Sequence, residues 1–291
     1  MKHNLPYLVN LPPFMLKDIS SSELKGFRKI LLILKGKILS FFIKKTKQGL
    51  FCKIINLFYS ADGYIVFKDN NYIKVAKDGK KIYFPNKRIL RVVKNYKEQL
   101  NRIYQTYCLN LIQIKDNDIV IDCGSNIGEL FLSLEMRDTN VIYYGFEPDK
   151  KAFRCLNLNV KDKNFLFNSA LSNTNKISKL YIDDEGGNSS LINFGSEEYV
   201  EVNEVTLDSI DIKDKVKLFK VEAEGLEPEV LQGAIKTLKI IEFVSVDFGA
   251  ERGETQDMTI VETTKILNEF DFELVGFSEF RLIGLFKNTL F

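Results

Sequence analysis

A turn with two glycines and a downstream acid is the part of the sequence whose residue types and spacing are best suited to chemistry. An apolar run ends at Asp122, and Gly124 and Gly128 follow it. Glycine adopts positive φ and has no side chain, so such a turn lets the backbone come close to a ligand. Beyond a stretch with helical spacing and a second apolar run, Glu147 stands where the tip of the next parallel strand would present it to a ribose.

Two other kinds of glycine turn do not fit this sequence. The nicotinamide and flavin fingerprint G-x-G-x-x-G, aligned on Gly128, requires glycines where Cys123 and Ser125 stand. A Walker A loop requires a following Gly-Lys-Ser/Thr, which is not there. The remaining pattern, D-x-G-x-x-x-G with a downstream acid, resembles the S-adenosylmethionine turn of Rossmann-type methyltransferases. A sheet protein such as an α/β hydrolase with a chance glycine turn stays open as the alternative.

A second chemical group lies near the end of a later apolar run. Strand alternation places Lys220, Glu222 and Glu224 on one side, where the lysine partly offsets the two like charges. Methyl transfer to oxygen needs a group close to the acceptor hydroxyl that takes its proton. The chain has one histidine, His3, so carboxylates are the only plentiful bases. The alternative is a surface acid cluster that caps a helix beginning near Pro228.

Other candidates follow neighbouring strands. Residues 246–253 combine glycines with opposed charges, which suits a substrate loop in which Asp247 and Arg252 are the candidate contacts, and Arg252 is able to hold a phosphate or carboxylate. A plain loop is equally compatible with this stretch. The predicted cofactor-binding residues are Asp122, Gly124, Ser125, Asn126, Gly128, Glu147, Ser169 and Ala170.

The elements that position these groups alternate after residue 117. The patterns predict strands at 118–123, 141–147, 164–169, 177–182, 216–222, 242–247, 272–277 and 280–286, with helices at 127–136, 149–159, 226–238 and 256–270. Such alternation indicates a parallel sheet covered on both faces. Only Ser278 and Glu279 separate the last two strands, and so short a connection requires an antiparallel hairpin.

The N-terminal part has a different character. Short β-rich runs between residues 64 and 84, with Asp78-Gly79 as a hairpin signal, precede helical spacing over 89–107. The expected division is a basic, apolar helical extension at 1–60, a hairpin and helix lead-in at 61–114, and a cofactor-binding domain at 115–291. The fold class is therefore α/β, a mostly parallel Rossmann-type sheet with an antiparallel C-terminal hairpin and a small α+β extension.

The charge distribution separates the same two parts. Residues 1–110 carry 22 basic and 6 acidic side chains, and the rest carries 19 basic and 33 acidic ones, although the whole chain has a net charge of only +2. That small total argues against nucleic-acid binding. Residues 24–59 mix lysines with bulky apolar side chains and contain no acid. Two interpretations stay open: this segment contacts an anionic membrane surface, or it is an ordinary helix packed on the core with extended lysine stems.

The number and spacing of the cysteines indicate the cellular compartment in which the protein works. Four scattered cysteines without a C-x-x-C pair predict neither a zinc site nor a disulfide framework in this 291-residue chain. Prolines interrupt any apolar run at the N-terminus, so no cleavable signal peptide is expected. These features favour a cytoplasmic protein, with a peripheral position at the inner face of the membrane as the further expectation.

Four segments carry a family resemblance. They are Val-Ile-Asp-Cys-Gly-Ser-Asn-Ile-Gly, Gly-Phe-Glu-Pro-Asp, Asn-Ser-Ala-Leu-Ser and Phe-Lys-Val-Glu-Ala-Glu-Gly-Leu-Glu-Pro-Glu-Val-Leu-Gln-Gly-Ala, in this order. Together they resemble the FkbM-type methyltransferase family, whose Ser-Ser-Leu segment corresponds to Ser189, Ser190 and Leu191. In the family's last motif an Asp usually stands where this chain has Glu222, while Lys220 and Glu224 match.

The resemblance implies a function. It predicts an S-adenosylmethionine-dependent O-methyltransferase with Lys220, Glu222 and Glu224 in the catalytic site and with Ser189 and Ser190 near the substrate. The expected acceptor is a hydroxyl of a sugar, glycan or glycan precursor, as in polysaccharide biosynthesis. The alternatives are a lipid or polyketide hydroxyl, or a binding module that keeps the cofactor fold without turnover.

Overall fold

The expected mixture of helices and strands is present in the computed structural model, which describes residues 11–16, 24–160, 164–182 and 189–291. His3, Gly186, Gly187 and Asn188 lie outside the described residues. The chain divides into two compact units, Met1–Tyr96 and Lys97–Phe291. The division at residues 60 and 114 expected from the sequence stays a prediction.

The first unit combines three helices with a small sheet. Its elements are α1 (Pro13–Leu16), α2 (Gly26–Lys45), α3 (Gln48–Phe58), β1 (Tyr64–Lys68), β2 (Asn71–Val75), β3 (Lys81–Phe84) and a 3-10 helix (Lys87–Val92). The three strands are antiparallel in the order β1-β2-β3. Gly79 has φ +87° in the turn between β2 and β3, as the Asp78-Gly79 signal predicted. None of the helices within the described ranges is long and apolar enough to cross a bilayer.

The second unit carries the predicted alternation. Its elements are α4 (Tyr96–Thr106, beginning at the unit boundary), β4 (Ile119–Cys123), α5 (Glu129–Glu135), β5 (Ile142–Phe146), α6 (Lys150–Asn159), β6 (Phe165–Phe167), β7 (Ser169–Leu171), β8 (Lys176–Tyr181), β9 (Tyr199–Val205), β10 (Val216–Val221), α7 (Glu227–Gln232), β11 (Ile241–Asp247), β12 (Ala250–Arg252), β13 (Asp257–Met258), α8 (Ile260–Glu269), β14 (Phe272–Phe277) and β15 (Ile283–Asn288). Asp149 begins α6 by accepting a hydrogen bond from the backbone N–H of Ala152.

A seven-stranded sheet organises this unit. Its order is β14-β15-β11-β10-β4-β5-β6. The five strands from β11 to β6 are parallel, whereas β15 runs antiparallel to both of its neighbours. The predicted α/β sheet with an antiparallel C-terminal hairpin is therefore confirmed.

Both faces of the sheet are buried, because successive side chains of each strand point to opposite sides. On β4, Ile119 and Ile121 belong to one hydrophobic cluster and Val120 belongs to the other. On β10, Phe219 and Leu218 divide in the same way. The near-continuous apolar runs of the sequence follow from this two-sided burial.

Two strand predictions were incomplete. The strand expected at 177–182 forms, but as β8 it pairs with β9 and not with the large sheet. The sequence reading omitted β9 itself, although its alternation of apolar and polar residues is typical of a strand. The last strand begins at Ile283 and not at 280, so residues 278–282 form a longer connection than expected.

Two helix predictions were too long. The helix expected at 256–270 begins at Ile260, because Asp257 and Met258 pair with β12. The helix expected at 226–238 is interrupted: α7 ends at Gln232, and a separate 3-10 helix covers Thr237–Ile240. A carbonyl causes tight packing at the interruption, since a Cβ added to Gly233 would lie 1.9 Å from the backbone oxygen of Ser172.

This contact makes Gly233 a test of the fold. We expect Gly233→Ala to lower the free energy of unfolding by about 2–3 kcal/mol, because a backbone oxygen cannot rotate away as a side chain does. Gly49→Ala is the control: its position in α3 has open space, and alanine there should leave stability unchanged or raised by up to about 1 kcal/mol. Urea or thermal unfolding of both variants decides this, and equal stability of the two would contradict the assigned contact.

Candidate functional site

The candidate site lies at the edge where the parallel strands of the large sheet end. The ends of β4, β5, β10 and β11 lie side by side, with Asp122 in register with Gly145 and with Lys220, and Lys220 in register with Ser245. Open parallel sheets bind ligands beyond this edge. The segments predicted to do chemistry therefore meet at one place.

Lys220 is buried beneath the glycine turn, with 2% of its surface exposed. Its ammonium group donates hydrogen bonds to the carbonyl oxygens of Cys123 and Gly124, both at 2.8 Å. It also lies 3.0 Å from Asp122 Oδ1 and 3.2 Å from Glu222 Oε2. The lysine thus ties the turn after β4 to the acidic end of β10.

Burial and ion pairing act together on this group. Burial alone lowers the pKa of Lys220, but Asp122, Tyr107 and Glu222 outweigh it and raise the pKa well above its usual value. Burial raises the pKa of Asp122, which accepts a hydrogen bond from the Tyr143 hydroxyl. Asp122 and Lys220 are thus paired in the interior, and their shared role is to fix the turn.

The two glycines of the turn are required by packing. Gly124 and Gly128 have φ +72° and +87°, as the pattern predicted. A Cβ on Gly124 would lie 2.2 Å from the carbonyl oxygen of Glu222, and one on Gly128 would lie 3.0 Å from Leu156 and Val160. The absence of side chains at these two glycines makes room for neighbouring parts of the protein and not only for a ligand. The turn and the end of β10 consequently touch through their backbones.

Glu147 lies at the end of β5 and closes the other side of the turn. Its two carboxylate oxygens accept hydrogen bonds at 2.8 Å from the backbone N–H groups of Asn126 and Asp149. Burial raises its pKa to about 7. The side-chain amide of Asn168 donates to the carbonyl oxygens of Glu147 and Pro148, and these hydrogen bonds hold the segment that follows β5 in place.

A small cavity of about 40 Å³ with mostly apolar walls is lined by the turn and by the residues before and after Glu147 in the chain. The turn contributes Cys123 and Gly124, and Ser189 and Ser190 lie on the other side; the remaining walls are Phe146, Pro148, Ala170, Leu171, Leu180, Leu191, Ala223 and Leu226. The apolar walls suit a flat ring. The volume is close to that of a single water molecule, so a larger ligand requires the walls to part.

Ser169 and Ala170, the cofactor-binding residues predicted at the end of the third strand, line different cavities. Ala170 lines the apolar cavity, whereas Ser169 lines a second, open depression between β6 and β9. Ser125 donates its hydroxyl to the carbonyl oxygen of Asp122 at 2.7 Å and is buried within the turn. Ser190 donates to the carbonyl oxygen of Glu224 at 2.9 Å, which joins the cavity wall to the acidic segment.

Beyond the end of β10, an arginine contacts three acids. The Arg281 guanidinium lies 2.6 Å from Glu222 Oε1, 2.6 Å from Asp247 Oδ2 and 3.3 Å from Glu251 Oε1. Glu222 also accepts a hydrogen bond from the Tyr107 hydroxyl. Tyr107, Glu222, Asp247, Glu251 and Arg281 together form one cluster, named the acceptor-side cluster for its proposed role.

The carboxyl groups near Arg281 differ in their pKa values. Burial raises the pKa of Glu222, but Lys220 and Arg281 outweigh it and hold the pKa far below its usual value. Burial and the charge of Glu222 raise the pKa of Asp247 to about 7, against the opposing effect of Arg281. Burial and the neighbouring Glu251 and Glu222 raise the pKa of Glu224 to about 9.

Glu224 also has an unusual backbone. Its φ is +50°, and the following Gly225 has φ +97°. A non-glycine residue in the left-handed region stores strain that its surroundings must offset. Glu227 does so, because its carboxylate accepts hydrogen bonds from the backbone N–H groups of Ala223 and Gly225.

Arg252 is engaged within the protein. Its two terminal nitrogens lie 2.9 Å and 2.6 Å from the carboxylate oxygens of Glu229 on α7. This two-pronged ion pair uses the geometry that the sequence interpretation assigned to a substrate phosphate or carboxylate. Among the predicted substrate residues, Asp247 is therefore the one that joins the acceptor-side cluster.

Sequence reasoning missed three members of the site. Tyr107 belongs to a run of helical spacing whose tyrosines suit either the core or a substrate cleft, and its hydroxyl reaches Glu222. Arg281 was placed in a strand, and Tyr143 was one of several apolar residues in another strand. No local pattern marks these residues, since each reaches the site from a different element. The acids at 222 and 224 gave no separate signal for Arg281, because Lys220 was expected to offset part of their charge.

Comparison with solved structures gives distant likenesses. A putative rRNA methylase from Clostridium thermocellum is 13% identical, with a TM-score of 0.41, covering 64% of this chain and 94% of that one. A SAM-dependent methyltransferase from Aquifex aeolicus is 10% identical, with a TM-score of 0.38, covering 66% and 97%. TYW2 of M. jannaschii, in complex with AdoMet, is 10% identical, with a TM-score of 0.39, covering 77% and 90%.

Comparison of the amino-acid sequence with other proteins and with family models gives a more specific result than comparison of the structures. No curated protein matches the chain. The model of the methyltransferase FkbM domain matches residues 122–274, from Asp122 in the glycine turn to Leu274 in β14. The expectation of a methyltransferase of the S-adenosylmethionine-dependent fold is thereby confirmed. The matched range covers more than half of the chain and contains the turn, Glu147 and the acidic end of β10, and the chain belongs to the FkbM methyltransferase family.

Proposed function

We propose that this protein is an S-adenosylmethionine-dependent O-methyltransferase that modifies a hydroxyl of a sugar, glycan or glycan precursor. The observation that carries the proposal is the placement of two different carboxylate environments joined by the Lys220-linked turn. Glu147 and the apolar cavity, whose wall also includes Ala223, make up the first side, and the acceptor-side cluster, joined to the turn through Lys220, makes up the second. One side is suited to a nucleoside and the other to a proton transfer.

The residues on the first side fit the cofactor in their chemistry. Both oxygens of Glu147 keep acceptor capacity beyond the two backbone N–H groups, which suits the paired hydroxyls of a ribose. The apolar cavity wall that includes Ala170 and Leu226 suits an adenine ring once it opens. When bound, S-adenosylmethionine supplies an electrophilic methyl group.

On the second side, Asp247 is the proposed proton acceptor. Methylation of a hydroxyl would form an oxygen–carbon bond while the sulfur–methyl bond of the cofactor breaks and S-adenosylhomocysteine leaves. The hydroxyl proton must go to a base that is deprotonated and yet able to hold a proton near neutral pH. Asp247 meets this condition with a pKa of about 7. Arg281, 2.6 Å away, stabilises its charged form.

The two acids first predicted as catalytic take supporting roles in this proposal. Glu222 stays ionised because Lys220 and Arg281 hold its pKa low, so it is a weak base and acts by positioning both cations. Glu224, with a pKa of about 9, keeps its proton at neutral pH and can donate a hydrogen bond to the acceptor. Lys220 positions the turn and does not exchange protons.

A hydroxylated small molecule or glycan is the proposed acceptor class. A cluster of ionised side chains with Arg281 at its centre offers both hydrogen-bond donors and acceptors, which suits a polyhydroxylated molecule. A lipid or polyketide hydroxyl is the second candidate. The experiment is calorimetry with S-adenosylmethionine and S-adenosylhomocysteine, followed by transfer of labelled methyl groups to nucleotide sugars and to lipid-linked sugars. Cofactor binding without transfer to any hydroxyl would favour a non-catalytic binding module.

Glu147 is testable through cofactor affinity. We expect Glu147→Ala to weaken the binding of S-adenosylhomocysteine by about 2–4 kcal/mol, because charge-assisted hydrogen bonds to two hydroxyls are lost. Asp149→Ala is the matched control, since it removes a nearby acid that caps α6. The control should lose about 1 kcal/mol of stability and keep its affinity. Unchanged affinity of a folded Glu147→Ala protein would remove Glu147 from the site.

Asp247 is testable through the pH dependence of turnover. At saturating S-adenosylmethionine, kcat should rise with pH and level off above the Asp247 pKa of about 7, because only the deprotonated carboxylate accepts a proton. Asp247→Asn should lower kcat by about 10²-fold or more and flatten this dependence.

Glu251→Gln is the matched control for that experiment. It removes another carboxylate in contact with Arg281 without touching the proposed base. The control should keep most of the activity and the rise of kcat with pH, with the rise moved to lower pH because Glu251 contributes to the raised pKa of Asp247. Glu224→Gln should also keep most of the activity near neutral pH. An equal loss of kcat in the Glu251 and Asp247 variants would show that both act only by holding Arg281.

A further inference from the structure

Helix α2 carries a stripe of exposed apolar side chains. The members of this apolar stripe are Phe27, Ile30, Leu31, Leu34, Ile38 and Phe41, and between 39% and 71% of each is exposed. Their spacing of three or four residues places them on one face of the helix. Single exposed apolar residues are normal on protein surfaces, whereas a continuous row of them indicates a contact surface.

The other side of α2 packs within its own unit. Leu39 is fully buried, and a Cβ added to Gly36 would lie 2.3 Å from Leu11 Cδ2. The helix is therefore apolar on two sides, of which only one is covered by the described part of the unit. The apolar stripe thus needs a partner.

Basic side chains border the apolar stripe on both sides. At 100° per residue, Arg28 falls on one flank, and Lys37 and Lys44 fall on the other. Lys35 also falls on the first flank, but its ammonium group lies 4.3 Å from the centre of the Tyr59 ring. No acidic residue occurs between positions 23 and 62, so no carboxylate within this stretch of the sequence balances these charges. Apolar side chains flanked by cations are a feature shared with helices that bind anionic membrane surfaces.

We propose that α2 binds an anionic lipid surface, with the apolar stripe inserted among the acyl chains and the flanking basic residues at the headgroups. Charge complementarity selects this occupant. A second copy of the same face would bring two sets of basic side chains together, and a neutral apolar partner would leave them unpaired. The binding surface lies wholly within the first unit and does not depend on methyl transfer.

Vesicle co-sedimentation of the full chain, without S-adenosylmethionine, tests the proposal. Mixed phosphatidylglycerol–phosphatidylcholine vesicles should bind the protein at low ionic strength, and pure phosphatidylcholine vesicles should bind it at least about tenfold more weakly. Raising the salt to about 1 M, where the screening length is about 3 Å, should weaken binding to the anionic vesicles. Failure to bind anionic vesicles at low salt would overturn the proposal.

Matched variants separate the apolar stripe from general surface effects. Ile30→Gln with Leu34→Gln and Phe41→Gln should reduce anionic-vesicle binding at least about tenfold, because buried apolar area supplies the insertion. The control is Ile177→Gln with Val261→Gln and Leu274→Gln, three comparably exposed apolar residues of the second unit, and it should bind as the unaltered protein does.

The basic residues have their own control. Arg28→Gln with Lys37→Gln and Lys44→Gln should also reduce binding, whereas Lys213→Gln with Lys236→Gln and Lys239→Gln should not, although both sets remove three exposed cations. Equal losses in a test set and its control would contradict the assignment to α2. Light scattering without vesicles completes the test: a dimer that the Gln variants of the apolar stripe dissociate would identify a second copy as the occupant.

Discussion

The buried ammonium group of Lys220 is the interaction on which the rest of the site depends. It bonds to two carbonyl oxygens of the glycine turn and lies within ion-pair distance of acids on two strands. Removing one partner of such a buried pair leaves an uncompensated charge, which costs about 3–5 kcal/mol in proteins. The turn, the end of β4 and the end of β10 are therefore held as one body.

This arrangement lets similar side chains perform different tasks. Glu147, Glu222, Glu224 and Asp247 all carry carboxyl groups, but burial, neighbouring acids and neighbouring cations move their pKa values in different directions. Pairs of acids whose environments separate their pKa values are typical of sites that move protons at neutral pH. The backbone contact between Gly124 and Glu222 keeps the two halves of the site at a fixed distance.

The large sheet and its ligand edge were predictable from the sequence, because two-sided burial produces continuous apolar strands and each strand ends in a recognisable turn or acid. The partners of β8 were not predictable, since strand pairing depends on contacts distant in sequence. The contacts of Arg281 and Tyr107 with Glu222 were missed for the same reason: Lys220 was the only counter-charge that the local pattern offered, and both other residues come from segments distant in sequence. Helical periodicity could not predict the end of α7 next to Gly233, because the cause is a carbonyl oxygen from another segment of the chain.

The position of Arg281 in the connection between β14 and β15 has an evolutionary consequence. Connections tolerate substitution and changes of length far better than the strands they join. The cation that organises the acids on the acceptor side is therefore carried by a part of the chain that can diverge freely. The glycine turn, in contrast, is constrained from several directions at once. If the proposed acceptor side is correct, descendants of such a scaffold can exchange one acceptor for another by remodelling this hairpin loop, while the glycine turn stays unchanged.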